Sequence, residues 1–162
     1  KPGTSSTWVN SQRKFTPYPG HFSVEINTQA NEAYVEATGG VSWNDEATDA
    51  IGGFALGYDI DVTETVFVGV EATAEKLLTD GTRVAWGIGG RAGAEVLPRS
   101  KIFVSMNWQS KDCRECGNAV GLGTGWEQNL TEKIYAKIEF KHLFIDDEAN
   151  ANVGIIGLGL MF

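Results

Sequence analysis

The stretch TVFVGVEATAEKL, residues 65–77, decides how the chain is read. Val66, Val68, Val70, Ala72 and Ala74 share one face of an extended strand, while Phe67, Gly69, Glu71, Thr73 and Glu75 share the other. Strict alternation over this length is the mark of a β-strand with two chemically different faces. The segment that follows repeats it. Val84, Trp86, Ile88, Ala92, Ala94 and Val96 oppose Gly87, Gly89, Arg91, Gly93 and Glu95.

Outward from this pair the same pattern recurs from Asn31 to the C-terminus. The segments are 31–44, 50–62, 65–77, 82–96, 101–110, 117–129, 132–145 and 151–162, separated by short runs rich in Asp, Asn, Gly, Thr and Pro. In the seventh, Ile134, Ala136, Ile138, Phe140 and Phe144 oppose Tyr135, Lys137, Glu139 and Lys141; in the last, Ile156, Leu158, Leu160 and Phe162 oppose Gly157, Gly159 and Met161. Alternating strands joined by turn residues predict an all-β fold. An even number of strands near ten residues long predicts an eight-stranded, antiparallel, up-and-down transmembrane β-barrel.

Composition narrows the alternatives. The 162 residues carry a formal net charge of −8 and include 20 Gly, 4 Pro and 2 Cys, with a sequence pI near 4.7. Gly at this level argues against a helical bundle, and the acidic balance argues against a nucleic-acid partner, whose phosphates need a basic footprint. No apolar run reaches the roughly 18 residues of a spanning helix. The mean hydropathy of −0.16 does not exclude a membrane, because barrel strands average apolar and polar faces.

The two faces decide between a soluble and a membrane barrel. A soluble barrel seals its bulky apolar face inside, whereas a membrane barrel turns it toward lipid and fills a narrow interior with small or paired polar groups. Here glycines recur on the polar face (Gly87, Gly89; Gly121, Gly123, Gly125; Gly157, Gly159), as a packed interior requires. Aromatic residues sort as well. Trp43, Trp86, Trp108 and Phe144 fall on the apolar face at one end of the strands, and Tyr58, Trp126 and Phe162 at the other. Two such girdles are selected by two headgroup interfaces.

The links fit that topology. Those around Thr63–Glu64, Pro98–Arg99 and Leu130–Thr131 are tight, and the opposite set (NDEATD, LLTDGT, SKDCRECG and DDEANA) is longer and more acidic. This matches short periplasmic turns and longer outer loops. Residues 1–30 stand apart from the repeat. KPGTSST has no apolar core of a secretory signal, and the segment as a whole is expected to be a periplasmic extension or a partner-binding segment, with 31–162 as the barrel.

GFALGYDIDVTETVFVGVEA (53–72), GGRAGAEVLPRSKIFVSMNW (89–108), VGLGTGWEQNLTEKIYAKIEF (120–140) and the terminal GLGLMF resemble the opacity-type porin family of small outer-membrane barrels, of the OmpA/OmpX-like eight-stranded kind. The resemblance runs from Asn31 to Phe162. It implies location in a Gram-negative outer membrane, contact with lipid and lipopolysaccharide, and recognition of Phe162 by the barrel-assembly machinery. It is specific for fold and spans adhesion, surface shielding and envelope integrity as activities.

The candidate lumen set is Glu36, Asp59, Glu71, Glu75, Arg91, Glu95, Glu127, Lys137, Glu139 and Lys141. Charges enclosed in so narrow a barrel must pair or keep water. Hairpin geometry puts Arg91 diagonal to Glu71 and Lys137 diagonal to Glu127. Such a set is either a salt-bridge plug or, since acids outnumber bases, the wall of a narrow cation-preferring pore. Cys113 and Cys116 form a C-x-x-C in an outer loop, where an exported protein favours a disulfide; zinc would need further ligands. The acidic tips Asn44–Asp45–Glu46 and Asp146–Asp147–Glu148 do not match a calcium loop of the EF-hand kind. Lipid-modifying barrels carry a His-x-Ser on a late strand, but His142-Leu143-Phe144 has no hydroxyl there. The sequence therefore predicts no enzyme, no cofactor and no metal, and a structural, adhesion or surface-interaction role, alone or as a subunit of a larger outer-membrane complex. A lipocalin-type soluble carrier is the third reading, disfavoured by the girdles.

Overall fold

A computed structural model describes residues 31–110, 117–146 and 149–162. The strands are β1 (Glu32–Trp43), β2 (Thr48–Asp61), β3 (Val66–Leu77), β4 (Ala85–Leu97), β5 (Ser100–Gln109), β6 (Ala119–Asn129), β7 (Ile134–Ile145) and β8 (Ala151–Met161). Each pairs antiparallel with its neighbours in sequence, and β1 closes on β8 to complete a barrel. Closure runs from Tyr34 opposite Met161 to Trp43 opposite Asn152. The amide of Phe162 donates to the carbonyl of Ala33 at 2.8 Å, tying the last residue to the first strand. No edge is left open for pairing with another chain. Residues 1–30, with the role expected of them, lie outside the described residues.

The tight turns at the end where β1 begins and β8 finishes, called the terminal end below, have a local cause. The Thr63 hydroxyl accepts the amides of Thr65 and Val66 at 3.3 and 3.0 Å. Thr131 does the same for Lys133 and Ile134, at 3.2 and 3.0 Å. A threonine hydroxyl that captures amides two and three residues on reproduces a backbone turn, so the Thr-Glu pairs in the sequence are hairpin signals. Between β4 and β5 the turn is Pro98–Arg99. Arg99 takes a positive φ of 67°, and the register slips between Glu95 and Leu97. Such a bulge lets a very short link join two twisted strands.

The interior and exterior are inverted relative to a soluble protein. Leu56 is 62% exposed and Ile156 66%, whereas Glu36 is 1% and Lys137 3%. Among the described residues the largest fully buried side chains include Glu36, Glu127 and Asp59 beside Tyr135 and Val153. An exterior of Val, Leu, Ile and Phe around a charged core is stable only where hydrocarbon surrounds the barrel. No helix among the described residues is long and apolar enough to cross a membrane; the strands do so.

Candidate functional site

Period 2 sends Glu36, Asp59, Glu71, Glu75, Arg91, Lys101, Glu127, Lys137, Glu139 and Lys141 into the lumen, where they form a chain of ion pairs along the barrel axis. At the end where β1 begins, Lys101 Nζ lies 2.8 Å from Glu32 and 3.6 Å from Glu127. Arg91 bridges Glu127, at 3.0 Å, and Asp59. Its guanidinium also stacks 4.3 Å over the Tyr34 ring, a contact that gains strength where water is excluded. In the middle, Lys137 reaches Glu36 at 2.7 Å, Glu139 at 3.3 Å and Glu71 at 3.7 Å. Tyr34 donates to Glu71 at 2.8 Å, and Ser105 donates to Glu139 at 2.7 Å. Toward the other end Lys141 lies between Glu139, at 3.6 Å, and Glu75, at 3.7 Å, and Gln109 donates to Glu75 at 3.0 Å.

The pairing differs from the hairpin expectation. Arg91 does not pair with Glu71, and Lys137 does not pair with Glu127, although Lys137 and Glu127 are direct register partners. The partners are exchanged: Arg91 takes Glu127, and Lys137 takes Glu71. Long side chains lie across inward glycines and reach past the adjacent strand. Tyr34, Gly57 and Glu71 form one such row across β1, β2 and β3, and the Tyr34 ring occupies the space a Gly57 side chain would need. Likewise Gly157, opposite Lys137 on β8, leaves room for the Glu36 carboxylate.

Glu95 departs from the lumen set. It is exposed beside the β4–β5 bulge, and its carboxylate accepts the amide of Arg99 at 3.1 Å. The bulge places this inward-parity residue at the rim, where it shapes the turn. Cys113 and Cys116, with Asp147 and Glu148, lie outside the described residues.

The girdle residues face outward. Trp86, Trp108 and Phe144 stand exposed near the loop ends of β4, β5 and β7, and Tyr58, Trp126 and Phe162 near the terminal ends of β2, β6 and β8. Trp43, the last residue of β1, is partly covered because it leans on Phe140, with ring centroids 6.0 Å apart. His142 faces outward and makes a 2.8 Å hydrogen bond to Asn152, with its ring 4.7 Å from Phe144.

Two lumen features were not singled out in the sequence. Lys101, paired with Glu32, extends the ionic chain to the terminal end. Tyr34, Tyr135 and Met161 form a buried cluster there, joined by Phe67 and Phe103, whose rings lie 5.4 Å from the Arg91 guanidinium carbon. The signal was available in strand parity, since Phe67 alternates with Gly69 and Tyr135 with Lys137.

The arrangement defines a class. A closed barrel with hydrocarbon-facing side chains, aromatic girdles and a packed ionic interior is a small bacterial outer-membrane β-barrel. Solved structures of that fold align along nearly their whole length. The attachment invasion locus protein Ail of Yersinia pestis matches with a TM-score of 0.59 and 11% identity, over 82% of this chain and 97% of that one. Neisserial surface protein A matches with a TM-score of 0.55 and 12% identity, over 82% and 97%. The N-terminal barrel domain of Pseudomonas aeruginosa OprF matches with a TM-score of 0.54 and 14% identity, over 81% and 97%. No family model and no curated protein sequence matches the chain. At such low identity the shared property is the fold.

Proposed function

We propose that this protein is a plugged, non-enzymatic outer-membrane barrel of the opacity type, acting as a structural, adhesion or surface-interaction element. The ion-pair chain from Lys101 to Gln109 carries this reading. An ion moving through the lumen would have to break pairs between side chains such as Lys137 and Glu36, each only a few per cent exposed. Parting buried charges costs several kcal/mol, roughly 3–5 when one partner is lost, which disfavours steady conduction. A surface role is in keeping with the fold of Ail, an attachment invasion locus protein. On the outer wall His142 is oriented by Asn152, but Leu143 and Phe144 follow it with no hydroxyl or thiol, and a base without a nucleophile beside it supports the non-enzymatic reading. Lipid and lipopolysaccharide are the proposed surroundings, the assembly machinery the proposed reader of Phe162, and residues 1–30 the proposed contact for a protein partner.

The competing reading is a narrow cation-preferring pore. It is favoured by the lumen carboxylates (Glu36, Asp59, Glu71, Glu75, Glu127 and Glu139), which outnumber Arg91, Lys101, Lys137 and Lys141. Planar-bilayer recording of the purified full chain separates the two. The plugged reading expects no steady unitary current; a stable cation-selective conductance that changes with Lys137→Met would replace it with the pore.

A further inference from the structure

The inward glycines are covered differently in the two halves of the lumen. Toward the terminal end, rings fill the space a side chain would need: Tyr34 over Gly57, Phe67 over Gly93, Phe103 over Gly125 and Tyr135 over Gly159. Arg91 stands among these rings, 4.3 Å from Tyr34 and 5.4 Å from Phe67 and Phe103. Its Nε and both terminal nitrogens donate to Asp59 and Glu127. A level filled by rings, with its cation engaged on every nitrogen, leaves water little to bind.

Toward the loop end the covering chains are short and polar. The Thr73 hydroxyl lies over Gly87, and Asn107 lies over Gly89 and Gly121. Both sit beneath the bridge in which Gln109 donates to Glu75 at 3.0 Å across β4. Thr73 is the inward position before Glu75 on β3, and Asn107 the inward position before Gln109 on β5. Thr73 is 6% exposed and Asn107 9%, yet the Thr73 hydroxyl and both polar atoms of the Asn107 amide have no hydrogen-bond partner among the described residues. The Lys141 ammonium, which approaches the same bridge, lies 3.7 Å from Glu75 and 3.6 Å from Glu139. Those spacings exceed a direct N–H···O bond and suit an interposed water.

Buried polar groups without partners are costly, and these gather where the inward strand positions are glycine. Charge narrows the occupant: Glu75 and Glu139 repel an anion, and Lys141 repels a cation. A neutral molecule that both donates and accepts serves the hydroxyl, the amide and the ammonium together. We propose that the lumen just below the Gln109–Glu75 bridge is a binding site for ordered water, shared by Thr73, Asn107 and Lys141, and that the dry seal of the barrel is the Arg91 level. The seal rests on the plugged reading; the water site stands apart from it.

Water–protein cross-relaxation spectra of the full chain in deuterated-lipid nanodiscs test this, because direct contact and proton exchange give peaks of opposite sign. The Asn107 side-chain amide and the Thr73 methyl should show direct contact with long-lived water, and the Phe67 and Phe103 ring protons should show none. No contact at Asn107 and Thr73, with no current in planar bilayers, overturns the water site and leaves the plugged reading standing. Contact at the rings together with a steady current overturns the seal and the plugged reading with it. Thr73→Val removes the hydroxyl and keeps the shape. With water bound, it should lower the urea midpoint of unfolding in lipid; a raised midpoint, the outcome when a methyl group replaces an orphaned hydroxyl, would overturn the site. The spectra need only the wild-type chain, so the site is tested even if that variant does not fold.

Discussion

Arg91 on β4 grips Asp59 on β2 across the whole width of β3. Nε donates to Oδ1 at 3.0 Å, and Nη2 donates to Oδ2. The strand between them contributes Gly69, which is the register partner of both Asp59 and Arg91. A side chain at Gly69 would occupy the position of the Asp59 carboxylate. The bidentate geometry, the strongest form of carboxylate recognition by arginine, therefore depends on a missing methyl group one strand away.

Gly69→Ala should accordingly destabilise the barrel by about 1–3 kcal/mol, by displacing a buried charge partner. Gly52→Ala serves as its control. Gly52 faces outward, and the nearest atom to an added Cβ is the Thr38 carbonyl oxygen at 3.8 Å, so that change should be close to neutral. Equilibrium urea unfolding in lipid, followed by tryptophan fluorescence, compares the two. Equal effects would remove the proposed spacer role.

Arg91→Met leaves Asp59 and Glu127 facing one another without their shared cation. A loss of about 3–5 kcal/mol is expected. In an Asp59→Asn background the same change should cost less, because part of the uncompensated charge is already gone. A double-mutant cycle measures the coupling, expected within about 0.5–3 kcal/mol; strict additivity would show that the pair does not act as a unit.

Arginine on the lipid face should be penalised by depth. Leu56 stands mid-strand on β2, two residues before the girdle residue Tyr58, and is 62% exposed. Leu56→Arg should cost about 2–4 kcal/mol of folding free energy in a bilayer. Val68 lies opposite Ile60, beyond Tyr58 toward the terminal end, so Val68→Arg should cost about 1 kcal/mol or less. Reversible folding into liposomes measures both. A larger penalty at Val68 would place the hydrocarbon slab at a different height.

Removal of residues 1–30 should leave a barrel that still migrates faster unheated than heated on denaturing gels. The closing pairs between β1 and β8 begin at Tyr34 and Met161, so closure requires no earlier strand. Loss of heat modifiability would mean that the segment supplies part of the barrel.

The strand positions and the face each residue takes were legible in the chain, because the period of 2 is a local property set by the pleat. Segment 65–77 became β3 at Val66–Leu77, and segment 151–162 became β8 at Ala151–Met161. The inverted surface followed from which face held the valines and which the glycines. The ion partners were not legible. Hairpin neighbours suggested Arg91 with Glu71, but only closure, with its fixed stagger and inward glycines, brings Arg91 to Asp59 and Glu127 and leaves Glu71 to Lys137 and Tyr34. Glu95 had the right parity, yet a bulge at the Pro98–Arg99 turn carried it to the rim. The water site also needed three dimensions, since Thr73, Asn107 and Lys141 belong to distant segments that share one part of the lumen only once the barrel closes. Alternation along one strand is decided by covalent geometry; who meets whom across the lumen is decided by the curvature that brings eight strands around a common axis.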